Sequence, residues 1–362
     1  MLRGVKDILF VFDEPHAGTR YRSGHQSEQL GLLGASFDLV QSTRIDLAAA
    51  VDHYAFFILN RVEWTEKVAA FVERARVHDK RVIFDTDDLI FEPELSRHFA
   101  FLEGWPERGR KLEIEKLARY GRTLEACEGA TVSTQPLGEH VARRTEPVGV
   151  VFNSVSEEMV RLAEGALRNS HGPSGSSEVN IAYFSGTRTH QRDFLEAADA
   201  IIWALDEYPD TRFLAVGKLD VDDRFARFGS RVTRVPIQPW QALPQLLCEV
   251  DINLAPLERN NPVTECKSCV KYLEAGLLGV PTVASPNPDF VRAMQGGQTG
   301  LLAADSSGWR EALAKLIESS ALRRELGALA REDVLQNHTT RARAPLLGTT
   351  LARLGLRVAT PP

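Results

Sequence analysis

Cysteine is scarce in this chain, with 4 among 362 residues. That is too few for a disulfide framework. Two of them, Cys266 and Cys269, form a C-x-x-C, but no second Cys or His pair stands at zinc spacing. They read as small buried hydrophobes, and no metal site is expected. No apolar run reaches transmembrane length. Positive charge is not in excess: 43 Lys and Arg face 49 Asp and Glu, for a net charge of −6. No basic stripe with interleaved aromatics occurs, which argues against nucleic acid as the main partner. The opening MLRGVKD runs straight into ILFVF without the pattern of a signal peptide. The expectation is a cytoplasmic protein, with peripheral contact at the inner face of a membrane left open. Repeats and long low-complexity tracts are also missing.

What is present is ordinary globular material, 43% hydrophobic and 25% charged. The length suits two domains. In the first half, apolar strands are expected at 8–12, 37–40, 55–59, 81–84, 130–133 and 148–152, with helical patterns between them. The segment RNSHGPSGSSE is polar and rich in Gly, Pro and Ser, so residues 161–179 read as an interdomain linker. Alternation then restarts, with strands at 181–184, 213–216, 232–235, 252–255 and 281–284. From residue 307 the chain is helical to about residue 354. Strands alternating with helices imply an α/β protein with parallel sheets covered on both faces.

The stretch TECKSCVKYLEAGLLGVPTVAS, residues 264–285, carries the sharpest pattern. It reads as one helix, N-capped by Thr264 and stopped by Pro281, feeding one buried strand. Cys266, Cys269, Val270, Leu273 and Leu277 make an apolar face. Lys267, Lys271 and Glu274 make a charged stripe at i, i+4 and i+7. Spacing alone allows that stripe to be a solvated face.

The sequence K-S-x-x-K-x-L-E-A-G-x-x-G-V-P-T-V-A-S resembles the donor-site helix of GT-B glycosyltransferases, in particular the retaining family 4, or glycosyl transferases group 1. The resemblance extends to VSTQPL, VFNSV and IAYFSGT elsewhere in the chain. It implies the GT-B architecture: two doubly wound Rossmann-like domains facing each other across a cleft. The expected division is an acceptor-side domain at 1–160, the linker at 161–179, a nucleotide-sugar domain at 180–340 and a helical tail at 341–362, free to pack back on the first domain.

The resemblance also implies roles for residues. Glu274 matches the glutamate that holds the ribose hydroxyls, and a carboxylate can accept from two vicinal hydroxyls. Lys267, Ser268 and Lys271 share its helix. The family's earlier glutamate is replaced by Cys266, and Glu265 is one position off, which on a helix turns a side chain by about 100°. After the strand of IAYFSGT, Gly186 and Thr187 form the turn whose helix start suits the diphosphate. There Arg192 takes the place of a basic phosphate ligand, with Arg188 and Lys218 as further candidates. In the first domain, Arg20, Tyr21 and Arg22 follow strand one as an acceptor or phosphate loop. His25, Asp85, Asp87 and Asp88 are the candidate catalytic residues.

The function implied is hexosyl transfer from a nucleotide-diphosphate sugar, its co-substrate, to a glycan, lipid-linked, protein or small-molecule acceptor, with no cofactor required. Two other readings compete. FDTDD also resembles the opening of haloacid-dehalogenase phosphatases, with Asp85 as nucleophile, Asp87 as acid and magnesium bound. Alternatively, the chain is a catalytically silent GT-B subunit that binds nucleotide or glycan.

Overall fold

The computed structural model describes residues 5–169, 178–187 and 190–356. Two six-stranded parallel sheets organise it. The first contains β1 (Lys6–Phe12), β2 (Phe37–Gln41), β3 (Tyr54–Asn60), β4 (Arg81–Thr86), β5 (Ala130–Val132) and β6 (Val148–Val150). The second contains β7 (Val179–Ser185), β8 (Thr211–Gly217), β9 (Val232–Val235), β10 (Ile252–Ala255), β11 (Thr282–Ala284) and β12 (Leu301–Leu302).

Successive residues of a strand point to opposite faces. In the first sheet Leu9, Val11, Phe57, Leu59, Val82 and Phe84 pack on one face. Ile8, Phe10, Phe56, Ile58 and Ile83 pack on the other. Both faces are dry, so the strands read as continuous apolar runs. The second sheet repeats this: Ile181, Tyr183 and Phe213 lie on one side, Ala182, Ala255 and Ala284 on the other. Leu347 and Leu351 of the helix Thr340–Arg353 join Ile8 and Phe10, so the chain's end returns to the first sheet.

The strand orders locate the site. The first sheet runs β2-β1-β3-β4-β5-β6, so the order in which successive strands are added reverses between β1 and β3. The second runs β12-β11-β10-β7-β8-β9 and reverses between β7 and β10. Ligands of open parallel sheets bind beyond the carboxyl ends of the strands at such points. This pair of doubly wound units is the GT-B fold expected from the sequence.

Two expectations need correction. Residues 161–169 are not linker but part of the helix Glu157–Asn169. Met159, Ala163 and Ala166 recur at helical spacing and pack into the second sheet's core, which favours helix over loop. The rest of the Gly-Pro-Ser segment, 170–177, lies outside the described residues. The single helix expected from Thr264 is two, Pro262–Glu265 and Val270–Leu277. Asn261, not Thr264, caps the first. The break is held by side chains: Asp289 accepts from the Cys269 N–H at 2.8 Å, and Asn287 Nδ2 donates to the Lys267 carbonyl at 2.8 Å.

That break docks the two halves together. Val263 and Cys266 pack into the first sheet's core, while Tyr21, from the first half, packs into the second's. Cys266 and Cys269 are both buried free thiols. Among the described residues no helix is long and apolar enough to cross a membrane.

Candidate active site between the two sheets

A cavity of about 780 Å³ opens where the two switch points face each other. Glu14, His16 and Gly18 reach it from the loop after β1, and Arg61 from the end of β3. Gly186 follows β7, and Pro256 and Glu258 follow β10.

On the second-sheet side, Tyr272, Leu273 and Leu277 bury one face of the helix Val270–Leu277. This turns Lys271 and Glu274, nearly one turn apart, into the cavity. Glu274 Oε1 accepts from the Tyr21 hydroxyl at 2.5 Å, with Arg20 Nη2 at 3.7 Å. Burial first, and then the Glu274 charge, push the Tyr21 hydroxyl well above its ordinary pKa, so it stays a donor. The Arg20 guanidinium lies 4.7 Å from the ring centres of both Tyr21 and Trp240. Lys271 Nζ lies 5.6 Å from the Tyr183 ring centre, and burial lowers its pKa.

Beyond Gly186 begins the helix Gln191–Glu207, whose first N–H groups lack partners within the helix. His190 sits at its N-cap without capping it. Instead His190 Nδ1 meets Asp193 Oδ2 at 2.8 Å, and Asp193 Oδ1 accepts from the Glu258 N–H at 2.9 Å.

On the first-sheet side, Arg61 pairs with Asp87 at 2.7 Å and with Asp88. Lys267 crosses from the second half to Asp88 at 2.5 Å. Burial alone would raise the Asp88 pKa, but Lys267 and Arg61 outweigh it and hold the carboxyl well below its usual range. A Cβ at Gly18 would stand 2.7 Å from both Asp87 carboxylate oxygens. Glycine therefore lets the β1 loop approach this carboxylate. Phe101, Leu117 and Tyr120 complete the wall.

The structure brings many of the expected residues to the cavity: Arg20, Tyr21, Asp87, Asp88 and Gly186 on its walls, and Thr187, Lys267, Ser268, Lys271 and Glu274 beside them. Others it places elsewhere. Asp85 falls inside β4, which runs two residues past the expected end, and is fully buried. It accepts from Arg22 Nη2 at 2.7 Å, Thr131 Oγ1 at 2.6 Å, Asn60 Nδ2 at 2.8 Å and Gln26 Nε2 at 3.0 Å. With its lone pairs so occupied it is no nucleophile, and the phosphatase reading of FDTDD loses its central residue. Arg22 is likewise buried, bonded also to Asn153 Oδ1 at 3.1 Å, and is not part of a phosphate loop. His25 is buried, with Nδ1 2.7 Å from the Ser154 carbonyl. Burial lowers its pKa to about 4, and the side chain does not line the cavity.

Arg192 does not line the cavity; Glu103 and Glu258 hold its guanidinium. Lys218 and Glu265 are exposed and also outside the lining. Arg188 lies outside the described residues. Sequence reasoning missed His16, Arg61, His190 and Trp240. The H-x-x-D of His190 and Asp193, i and i+3 at a helix start, was a legible signal; the other three had none.

Residues 179–319 match the family model described as Glycosyl transferases group 1. No curated protein matches the chain. Among solved structures, sucrose-phosphate synthase from Thermosynechococcus elongatus aligns with a TM-score of 0.64 at 15% identity, over 97% of this chain and 99% of that one. Anabaena HepE, solved in complex with UDP and glucose, aligns at 0.62 and 13% identity over 96% of this chain and 100% of that one. A glycosyltransferase from Rickettsia africae aligns at 0.61 and 12% identity over 98% and 100%. These likenesses show the GT-B fold. The family match over the second sheet supports nucleotide-sugar glycosyl transfer.

Proposed function

We propose that the protein transfers a hexosyl group from a nucleotide-diphosphate sugar to an acceptor hydroxyl in the cleft. Residues 180–340 bind the donor, and 1–160 the acceptor. The observation that carries this is the pairing of Glu274 and Lys271 in the cavity that also takes in the Gly186 turn. Glu274 accepts from the ribose hydroxyls, as the family resemblance implies. Lys271, without a salt-bridge partner among the described residues, meets the diphosphate together with the helix start at Gln191. The leaving diphosphate is stabilised by these groups rather than by a bound metal. Retention of configuration follows from the family resemblance and is read from the product anomer by NMR.

The test is a panel of nucleotide sugars, scored by thermal shift and by nucleoside-diphosphate release in EDTA. A ligand that binds the native state raises the melting temperature by mass action. Stabilisation with release in EDTA is the expected result. Stabilisation without release from any acceptor preparation would make the chain a silent binding subunit. No stabilisation by any donor would overturn the reading.

Two variants separate the sides of the cleft. Lys271→Ala should weaken a nucleoside diphosphate far more than the free nucleoside, because only the former loses a charge-assisted bond; calorimetry with both ligands checks this. Asp87→Asn should lower transfer at least tenfold, about 1.4 kcal/mol of barrier, while leaving nucleoside-diphosphate affinity within about twofold. Asp87 faces the cavity from the first sheet, away from Glu274 and Lys271. Equal losses in rate and affinity would show that it acts on the donor instead.

A further inference from the structure

We infer that His190, oriented by Asp193, binds the leaving diphosphate as an imidazolium and takes up its proton when the donor arrives. This rests on the donor site proposed above, but neither residue has a role in it so far.

The dyad is built rather than incidental. Asp193 is buried, and the Glu258 N–H fixes one of its oxygens at 2.9 Å. Its other oxygen takes His190 Nδ1 at 2.8 Å. Among the described residues that leaves Nε2 as the ring nitrogen without a protein partner, on a side chain that lines the cavity and is 19% exposed. The Tyr183 hydroxyl meets the His190 carbonyl at 3.4 Å and so ties the backbone to β7. The ring therefore sits between the Gly186 turn and the helix start, where an anion is favoured.

The charged groups facing it are Asp193 on its own helix, and Lys271 and Lys267 from the segment opposite. Burial first, and then Lys271, disfavour the charged ring, against the pull of Asp193. A diphosphate reverses that balance by bringing negative charge to both the ring and the lysines. Burial, the largest effect, would raise the Asp193 pKa, but His190, the Glu258 N–H and Lys271 together lower it, so the carboxylate stays ionised. It can then stabilise the imidazolium as it forms.

In the transfer step the bond from sugar C1 to the β-phosphate oxygen breaks, and its electron pair stays on that oxygen. The acceptor oxygen forms the new bond to C1, and its proton passes to the freed phosphate oxygen. The imidazolium donates a hydrogen bond to the developing charge and keeps its own proton throughout. Asp193 is a positioning residue, acting through the ring.

The sign follows from linkage. A group whose pKa rises on binding takes up protons, and affinity falls as pH rises through the bound-state value. The probes are UDP-glucose, GDP-mannose and ADP-glucose, whose diphosphates do not titrate near neutrality. The best binder is titrated calorimetrically at pH 7 to 8 in buffers of differing ionisation enthalpy. Uptake approaching one proton per donor is expected, and none for the parent nucleoside. His190→Gln, which keeps an amide near Nε2, and His190→Asn, which keeps one near Nδ1 facing Asp193, should both abolish the uptake and flatten the pH profile of kcat. Asp193→Asn should reduce both. A ring that merely supports the helix would lose nothing in His190→Asn. Donor binding without proton uptake, or uptake that persists in both His190 variants, overturns this inference and leaves the glycosyltransferase reading standing. Failure of all three probes to bind overturns that reading, and this inference with it.

Discussion

Asp85→Ala should cost the protein its stability before it costs any chemistry. The carboxylate is fully buried and offsets a buried guanidinium, Arg22, at 2.7 Å. Removing one partner leaves the other charge uncompensated inside the core, a loss of about 3–5 kcal/mol. Thr131, Asn60 and Gln26 lose an acceptor at the same time. Whole-protein stabilities run to roughly 5–15 kcal/mol, so a large part of the margin disappears. Urea denaturation followed by circular dichroism measures it, and Arg22→Ala should behave alike. A folded Asp85→Ala protein with near-normal stability and no transfer would return Asp85 to a chemical role. Asp87→Asn, two residues on and facing the cavity, should cost less, because its partner Arg61 keeps Asp88.

That contrast marks how far the sequence could be read. The alternating apolar strands and helices announce two parallel sheets, because strands buried on both faces admit few polar residues. Nearly every strand lies where its apolar run lies. The ends are harder. Asp85 and Thr86 are polar, so the apolar run stops at Phe84, yet the ladder continues: Asp85 pairs with Thr131 and Thr86 with Val132. A buried polar residue inside a strand looks, in sequence, like the loop after it. The difference lies in partners distant along the chain, Arg22 and Asn60, which no local pattern reveals.

The site was legible where one helix carries it and illegible where folding assembles it. Lys271 and Glu274 were readable from their spacing and motif context, and Lys267 from the motif alone, since it falls in the break between two helices. Arg192 was assigned by position in a motif, but its guanidinium is drawn to Glu103 of the other half and to Glu258. His190, two residues earlier, reaches the cavity instead. The break between the helices Pro262–Glu265 and Val270–Leu277 also has its cause elsewhere, in Asn287 and Asp289. Because of it Lys267 leaves the face of Lys271 and Glu274 and crosses to Asp88.

Glu274→Ala should weaken nucleoside-diphosphate binding by about 1.5–3 kcal/mol, the range for hydrogen bonds to a charged group. Calorimetry reads this as roughly a 10- to 150-fold rise in Kd. The fold should survive, since the side chain lines a cavity rather than a core. The contact already present adds a sharper expectation. The carboxylate is engaged by the Tyr21 hydroxyl at 2.5 Å, with Arg20 close by. A ribose that bonds Glu274 must displace or share that donor. Tyr21→Phe keeps the ring that packs against His25 and Arg20 but deletes the hydroxyl. It should therefore tighten nucleoside-diphosphate binding, by about 0.5–1.5 kcal/mol, the net worth of one ordinary hydrogen bond. In the Glu274→Ala background the same substitution should give no gain, because nothing is left to compete for. Such a double-mutant cycle isolates the pair. Unchanged affinity in Glu274→Ala would remove Glu274 from the donor site. A loss of affinity in Tyr21→Phe would make the hydroxyl a ligand of the nucleotide rather than its competitor.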